Sequence, residues 1–484
     1  MNVIPTICAV ATAPGGALGI IRVSGPDAIT FTDKIFRPAG KADKPLSERK
    51  ANTLTFGTIV DCSDKVVDEV LVSLFRAPHS YTGEDSTEIS CHGSAYILQQ
   101  VLELLIGAGC RMAEPGEYTK RAFMNGKMDL AQAEAVADLI ATTTAANHRM
   151  AMQQMRGGFS GELAKLRSQL LHLTSLMELE LDFSDHEELE FADRSELRTL
   201  AVRVQTTIKR LASSFHMGNA IKNGIPVTIA GETNAGKSTL LNRLLGEERA
   251  IVSNIHGTTR DVIEDVVNIN GTPFRFIDTA GLRDTPDEIE AIGISRTMEK
   301  ILQSDIVILL IDANCANAQL KQLESKVLPL CADKHVIVVF NKIDSDLNSN
   351  ENSSAHLIYT AASDGDISPQ TIVIQSKNYP AIYISALCGT GIENLLNKLC
   401  EVARPLTTYS EGGTIVSNVR HTEALNEALE DITRVLEGLD NSIPTDLISQ
   451  DLRECLTHLG QITGGTIQTP EVLTNIFQHF CIGK

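Results

Sequence analysis

The residues Gly231-Glu232-Thr233-Asn234-Ala235-Gly236-Lys237-Ser238 form a complete GxxxxGKS, set directly after the apolar run Val227-Thr228-Ile229-Ala230 and before the helical run Thr239 to Leu245. Glycines at these positions let the backbone wrap closely around phosphate groups, and the N–H groups of the loop and of the helix N-terminus point at their negative charge. Lys237 is placed to neutralise β and γ oxygens, and Ser238 to hold Mg²⁺. Three further segments each close an apolar run. Asp278-Thr279-Ala280-Gly281 ends Phe274-Arg275-Phe276-Ile277, so its carboxylate lies at the carboxyl edge of a sheet, where it reaches magnesium through bound water, and Gly281 can follow the γ-phosphate. Asn341-Lys342-Ile343-Asp344 ends another strand, and an aspartate there accepts hydrogen bonds from N1 and the exocyclic amine of guanine, a donor pair that adenine lacks. Ser385-Ala386-Leu387 follows Ala381-Ile382-Tyr383-Ile384 and suits a backbone contact to the guanine oxygen. Together the four segments specify GTP.

Their order and spacing resemble the Ras-like GTPase superfamily over about residues 223 to 401. A polar insertion after Asp344, including Ser345 to Ser353, departs from that pattern and is expected to be a surface loop. Many relatives carry a glutamine just after DxxG to orient the attacking water, but here the position is Leu282, so another group must act. The segment Ser253-Asn254-Ile255-His256-Gly257-Thr258-Thr259-Arg260-Asp261 supplies the switch threonine of the nucleotide site. With Asn234 inside the phosphate loop, it resembles the potassium-activated subgroup of these GTPases. In that subgroup K⁺ takes the place of an arginine finger and neutralises charge developing between the β and γ phosphates. The resemblance implies Asn234, Ser253, Ile255 and Thr258 as K⁺ ligands, and Thr259 as a second Mg²⁺ ligand beside Ser238. A plain loop hydrogen-bonder is the alternative reading of Asn234.

The elements that must position these groups are legible in outline. Runs such as Leu18 to Val23 and Val70 to Phe75, separated by turn residues, predict strands of an N-terminal α+β domain over residues 1–122. From about Leu130 the period becomes helical, with Leu163, Leu166, Leu170, Leu173 and Met177 on one face. An acidic stretch from Glu178 to Glu190 is expected to interrupt the helices as a solvated loop or face. Between Ile225 and Glu401 apolar strands, among them Ile306 to Ile311 and Val336 to Phe340, alternate with amphipathic helices, as in a doubly wound parallel sheet. Helical periodicity returns after Pro405. The expected architecture is therefore multidomain: a discontinuous helical domain over 123–222 and 402–484, with a Ras-like G domain inserted at 223–401.

At 484 residues, 43% hydrophobic and 21% charged, the chain has the composition of a folded multidomain protein, and no apolar run approaches the roughly 20 residues of a membrane span. Met1-Asn2-Val3-Ile4-Pro5 lacks the basic stretch and apolar core of a secretory signal, which leaves the cytoplasm as the expected compartment. Ten cysteines without a CxxC pair make neither a disulfide framework nor a zinc site, so most are expected to be reduced and buried. A net charge of -19 excludes a generally basic nucleic-acid surface and confines any RNA contact to a local patch.

The termini narrow the choice between ribosome-assembly and tRNA-modification GTPases. The chain begins with Gly15-Gly16-Ala17-Leu18-Gly19-Ile20-Ile21-Arg22-Val23-Ser24-Gly25 and continues with Tyr81-Thr82-Gly83-Glu84-Asp85, Gly93, Pro115 to Phe123 and Asp129 to Glu134. It closes on Phe480-Cys481-Ile482-Gly483-Lys484. These residues resemble the MnmE (TrmE) family of tRNA-modification GTPases over essentially the whole length. The resemblance implies a catalytic pair: Glu290, which would position the attacking water, and Cys481, associated with the modification chemistry. Read alone, Glu290 also suits a solvated helix start, and Cys481 a buried structural thiol or, poorly, a prenylation box. The family further implies a constitutive homodimer whose N-terminal domain binds a 5-formyl-tetrahydrofolate-type one-carbon donor through Arg22, Glu88, Lys127 and Lys484; surface salt bridges are the alternative. It also implies a flavoprotein partner, MnmG (GidA), which brings FAD into a heterotetramer acting on the wobble uridine, U34, of tRNA.

Overall fold

The computed structural model describes residues 4–13, 15–40, 44–182, 194–232, 234–247, 265–277, 298–344, 370–407, 413–441 and 443–465, with 473, 476–478, 480 and 483. Two compact units divide the chain. One comprises Met1–Ile140, Met152–Leu200 and Arg434–Lys484, the other Ala141–Ala151 and Ala201–Thr433.

The first unit holds β1 (Ile7–Val10), β2 (Leu18–Ser24), β3 (Phe36–Pro38), β4 (Thr53–Val60), β5 (Val66–Phe75), β6 (Ser86–His92) and β7 (Arg111–Met112). They form one sheet in the order β3-β4-β5-β6-β2-β1-β7, antiparallel except for β1 with β7. Because side chains alternate across a pleated strand, Val70, Val72 and Leu74 of β5 share a face with Ile21 and Val23 of β2 and Ile89 of β6. Helices α1 (Ala28–Ile35) and α2 (Ala95–Ala108) cover that face with Ile29, Leu98, Val101 and Leu105. Arg22 and Glu88 alternate onto the opposite face, free of the core. Next along the chain come α3 (Glu117–Met124), α4 (Leu130–Ile140), α5 (Ala145–Met155, of which Ala145–Ala151 belong to the second unit), α6 (Gly158–Asp182) and α7 (Arg194–Ser213, of which Ala201–Ser213 belong to the second unit). The leucine stripe of α6 is buried at Leu163, Leu166, Leu170, Leu173 and Met177, as its period predicts. The acidic run does not interrupt the helices where expected: α6 continues through Glu178, whose carboxylate is exposed, to Asp182, and the rest of the run lies outside the described residues.

In the second unit, after α8 (Phe215–Asn223), come β8 (Ile225–Ala230), α9 (Lys237–Glu247), β9 (Asp265–Ile269), β10 (Thr272–Phe276), β11 (Ile306–Asp312), α10 (Ala316–Lys326), β12 (His335–Asn341), β13 (Gln370–Ile374), β14 (Lys377–Tyr383) and α11 (Ile392–Thr407). The sheet order is β13-β14-β12-β11-β8-β10-β9, with β10, β8, β11, β12 and β14 parallel. Continuous apolar runs are what a sheet buried on both faces requires. Ile306, Ile308 and Leu310 pack with Leu240 and Leu244 of α9 and Leu395 and Leu399 of α11. Val307, Leu309 and Ile311 turn the other way, towards Ala316 and Leu323 of α10. The end of the polar insertion is more than a loop: Gln370–Ile374 adds an antiparallel edge strand to β14. Residues 345–369 lie outside the described residues.

The chain continues through α12 (Val419–Asp440) and α13 (Thr445–Thr463), and α13 packs against α6. Among the described residues, the nine cysteines are free thiols, five of them buried, and no helix is long and apolar enough to cross a membrane.

Candidate guanine-nucleotide site

Strand order reverses on either side of β8, and in open α/β sheets ligands bind beyond the carboxyl ends of the strands at such a point. The phosphate loop leaves β8 there. Asn234 (φ 70) and Gly236 (φ 98) both take left-handed backbone conformations, the kind from which anion-binding concavities are built, and Ala235 N donates to Glu232 O (3.2 Å) between them. Gly236 is also required for space, because a Cβ on it would run into Nδ2 of Asn341. Ala235 is buried, Lys237 opens α9, and Ser238 and Thr239 stand in its first turn. Lys237 Nζ donates to the carbonyl oxygens of Gly231 (2.8 Å) and Glu232 (2.9 Å), so its charge is held inside the loop. Burial pushes that ammonium below the ordinary lysine range, and the nearby Glu232 charge offsets part of the effect.

Asn341, at the end of β12, joins two of the sequence segments to its own. Its Nδ2 donates to Ala235 O (2.8 Å) and its Oδ1 accepts from Ala386 N (2.9 Å), with the side chain buried between them. Asp344 reaches the same neighbourhood. A hydrogen bond from Ser385 holds its carboxyl below the usual carboxylate range, with smaller contributions from Cys388 and Lys342. Lys342 (φ 65) is itself left-handed, so the chain pivots between the inward Asn341 and the exposed Asp344. Ile343 N lies 3.4 Å from Ile384 O, and the exposed Leu387 follows Ala386. The structure thus brings together the predicted residues 234–239, 341–344 and 385–387. Ser253 to Thr259, Asp278 to Gly281 and Glu290 lie outside the described residues.

Sequence reasoning missed Asp312. It ends β11 opposite Asn341, and its Oδ2 is 2.7 Å from Lys342 Nζ. A polar residue closing an all-apolar parallel strand at the ligand edge was the available signal.

In the first unit Arg22 and Glu88 are direct cross-strand partners in an ion pair of 2.8 Å. The Arg22 guanidinium lies 5.5 Å from the Tyr81 ring centre and 5.6 Å from that of Tyr118, whose hydroxyl donates to Arg22 O (2.7 Å). Arg22 Nη1 also donates to Gly483 O (3.3 Å), so Gly483 stands beside this pair. Lys127 stands apart, its Nζ donating to Pro78 O (2.9 Å) and its stem against Gly83. Cys481 and Lys484 lie outside the described residues.

The frame around Arg22 is ionic. Arg121, only 7% exposed, binds Glu84 (3.1 Å), Glu117 (2.9 Å) and Pro5 O (2.8 Å), and Arg111 also holds Glu117 (2.6 Å). Gly116 (φ 65) starts the helix that carries them, packed so closely that a Cβ would meet Phe477 O. Replacing Arg121 by alanine removes the buried guanidinium shared by Glu84 and Glu117 and leaves the first to Ser24 and the second to Arg111, so about 3 kcal/mol of stability is expected to be lost, read from urea unfolding. Burial pushes the Glu117 carboxyl up, but hydrogen bonds from Arg111, the Glu114 backbone and Arg121 outweigh it and leave the group below its usual range. A depressed carboxylate stabilises the fold above its unfolded pKa of about 4.3, and that support is expected to fade as pH falls through the lower folded value.

A phosphate loop at the switch point of a doubly wound sheet, clasped to an Asn-Lys-x-Asp strand end, defines a P-loop GTPase. A family model described as the MnmE helical domain matches residues 130–481, and one described as the GTP-binding protein TrmE N-terminus matches residues 6–127. The chain is 58% identical over 484 residues to the tRNA modification GTPase MnmE of Bacteroides thetaiotaomicron, with 99% of each chain covered. It is 48% identical over 491 residues to that of Christiangramia forsetii, with 100% of each covered. Among solved structures it is similar to a GTP-binding protein from Sulfolobus solfataricus in complex with GDP, at 22% identity and a TM-score of 0.27 over 50% of this chain and 68% of that one. The chain belongs to the MnmE family of tRNA modification GTPases.

Proposed function

We propose that this protein is the GTPase subunit of a cytoplasmic enzyme that modifies the wobble uridine of tRNA. It hydrolyses GTP to GDP and phosphate while an aminomethyl-type group is added at C5 of U34, working as a homodimer with the flavoprotein MnmG, which brings FAD. The observation that carries this reading is the Asn341 clasp between phosphate loop and Ala386, in a chain alike over 99% of its length to a tRNA modification GTPase. The helical-domain match from 130 to 481 runs past both ends of the doubly wound sheet, which supports a G domain (223–401) inserted between helical segments 123–222 and 402–484, after an N-terminal domain of 1–122.

In this reading backbone N–H groups of the phosphate loop and of the first turn of α9 bind the phosphates, Lys237 neutralises their outer oxygens, and Asp344 reads guanine. Ser238, Thr259 and, through water, Asp278 would hold Mg²⁺; Asn234, Ser253, Ile255 and Thr258 would hold K⁺. These ions supply positive charge where negative charge develops in phosphoryl transfer. The left-handed Asn234, in the wall of the loop, fits such a ligand set. Glu290 orients the attacking water. The Arg22–Glu88 pair, bordered by two tyrosines and Gly483, fits the polar ring and carboxylates of a 5-formyl-tetrahydrofolate-type donor. Lys484 would add a second cation there, Lys127 would have to leave Pro78 O to join it, and Cys481 would serve the modification chemistry.

Hydrolysis is expected to run on the order of tenfold or more faster in K⁺ than in Na⁺, whose shorter coordination distance the same oxygens cannot satisfy. Equal phosphate-release rates in the two salts would remove the potassium assignment. The function itself is tested by nucleoside analysis of tRNA from cells lacking the protein. Loss of the C5 substituent at U34 is expected, whereas intact wobble uridine with altered ribosome profiles would mark an assembly factor.

A further inference from the structure

Asp312 belongs to none of the GTPase sequence segments, yet it is built into their edge. It is the last residue of β11, in register with Asn341 of β12. Its carboxylate is divided between two tasks: Oδ1 accepts from Asn314 N and Nδ2 (both 3.0 Å), and Oδ2 faces Lys342 Nζ at 2.7 Å. From behind, Gln319 of α10, itself buried, accepts from Asp312 N (2.8 Å). One face of this arrangement is therefore fixed by backbone and helix, and the other grips a lysine ammonium.

That lysine needs a grip. Lys342 sits in the left-handed region that side chains other than glycine disfavour, between the buried Asn341 and the exposed Asp344. With its backbone pivoted there and its ammonium tied to Asp312, its half-exposed four-methylene stem runs from the end of β12 to the end of β11, across the strand edge that also carries Asn341.

We propose that Asp312 is a positioning residue for guanine-nucleotide binding, acting through Lys342, whose anchored stem forms one wall of the base site. This rests on the reading that Asp344 recognises guanine. Bound nucleotide gains from a preformed wall and loses affinity when the stem is freed. Chemistry at the phosphates lies elsewhere, so the effect falls on KM and not on kcat.

The test is a set of full-length variants: Asp312→Asn, which still accepts the Asn314 N–H, Lys342→Met, which keeps the stem but loses the ammonium, and the two combined. Each is titrated with fluorescent GDP and assayed for turnover. Each single change is expected to raise the GDP Kd and the GTP KM about tenfold, the scale of one charged hydrogen bond, with kcat within roughly twofold. The combined variant is expected to be no weaker than either alone, because both remove one interaction. A merely structural Asp312 would give losses that multiply, and either multiplying losses or an Asp312→Asn Kd within about twofold of the parent overturns the proposal. Failure of Asp344→Asn to weaken GDP in the same titration would instead sink the guanine reading. Should Asp312→Asn not fold, Lys342→Met alone decides, since an unchanged Kd there removes the wall.

Discussion

Asp344→Asn is expected to weaken GTP binding by roughly 10³-fold and to bind xanthosine triphosphate in its place. The carboxylate offers two acceptors to the N1 and amine N–H groups of guanine. An amide offers one acceptor and one donor, so one guanine N–H meets another N–H. Xanthine carries a carbonyl where guanine has the amine, and the amide donor then finds an acceptor. The local frame should survive the change, because an asparagine oxygen still accepts the Ser385 and Cys388 hydrogen bonds that hold the native carboxylate. Competition titrations with the two nucleotides read the exchange directly; a variant that lost GTP without gaining the xanthine nucleotide would mean that Asp344 supports the loop and does not read the base.

The second large effect falls on Lys237. Its replacement by alanine is expected to lower single-turnover hydrolysis by about 10²–10³-fold, the loss typical of one charge-stabilising donor in a water-poor site. The ammonium lies within the loop at 2.8 Å and 2.9 Å from two carbonyl oxygens, so it is delivered to the phosphate position without searching for it. Its partial burial sharpens the argument. A cation already stripped of some water gains more from phosphate oxygens than a solvated one. Phosphate release within about tenfold of the parent would show that the metal ions carry the charge alone.

Much of this site is legible in the sequence. The run Ile306 to Ile311 is apolar at every position because both faces of β11 are buried, and the leucine stripe of α6 repeats at the helical period because one face is. The Asn-Lys-x-Asp and Ser-Ala-Leu segments sit at strand ends, where a doubly wound sheet delivers them to one edge. What stayed hidden was register. That Asn341 would clasp Ala235 and Ala386 together, or that Asp312 would fall beside Lys342, depends on how β11, β12 and β14 align, and no local pattern encodes a one-residue slip. The same holds for Arg22 and Glu88, 66 residues apart in sequence and direct partners across β2 and β6. Polarity misled at two places: carboxylates from Glu178 continue a helix, and the polar insertion ends in an edge strand whose outer side chains tolerate water.

Nucleotide selectivity tests the central claim most directly. Titrating the purified full-length chain with GDP and ADP in the presence of Mg²⁺ is expected to show guanine binding at least about 10³-fold tighter, since adenine offers Asp344 no donor pair and leaves its carboxylate unanswered. Equal affinity for the two nucleotides would contradict the account at its root.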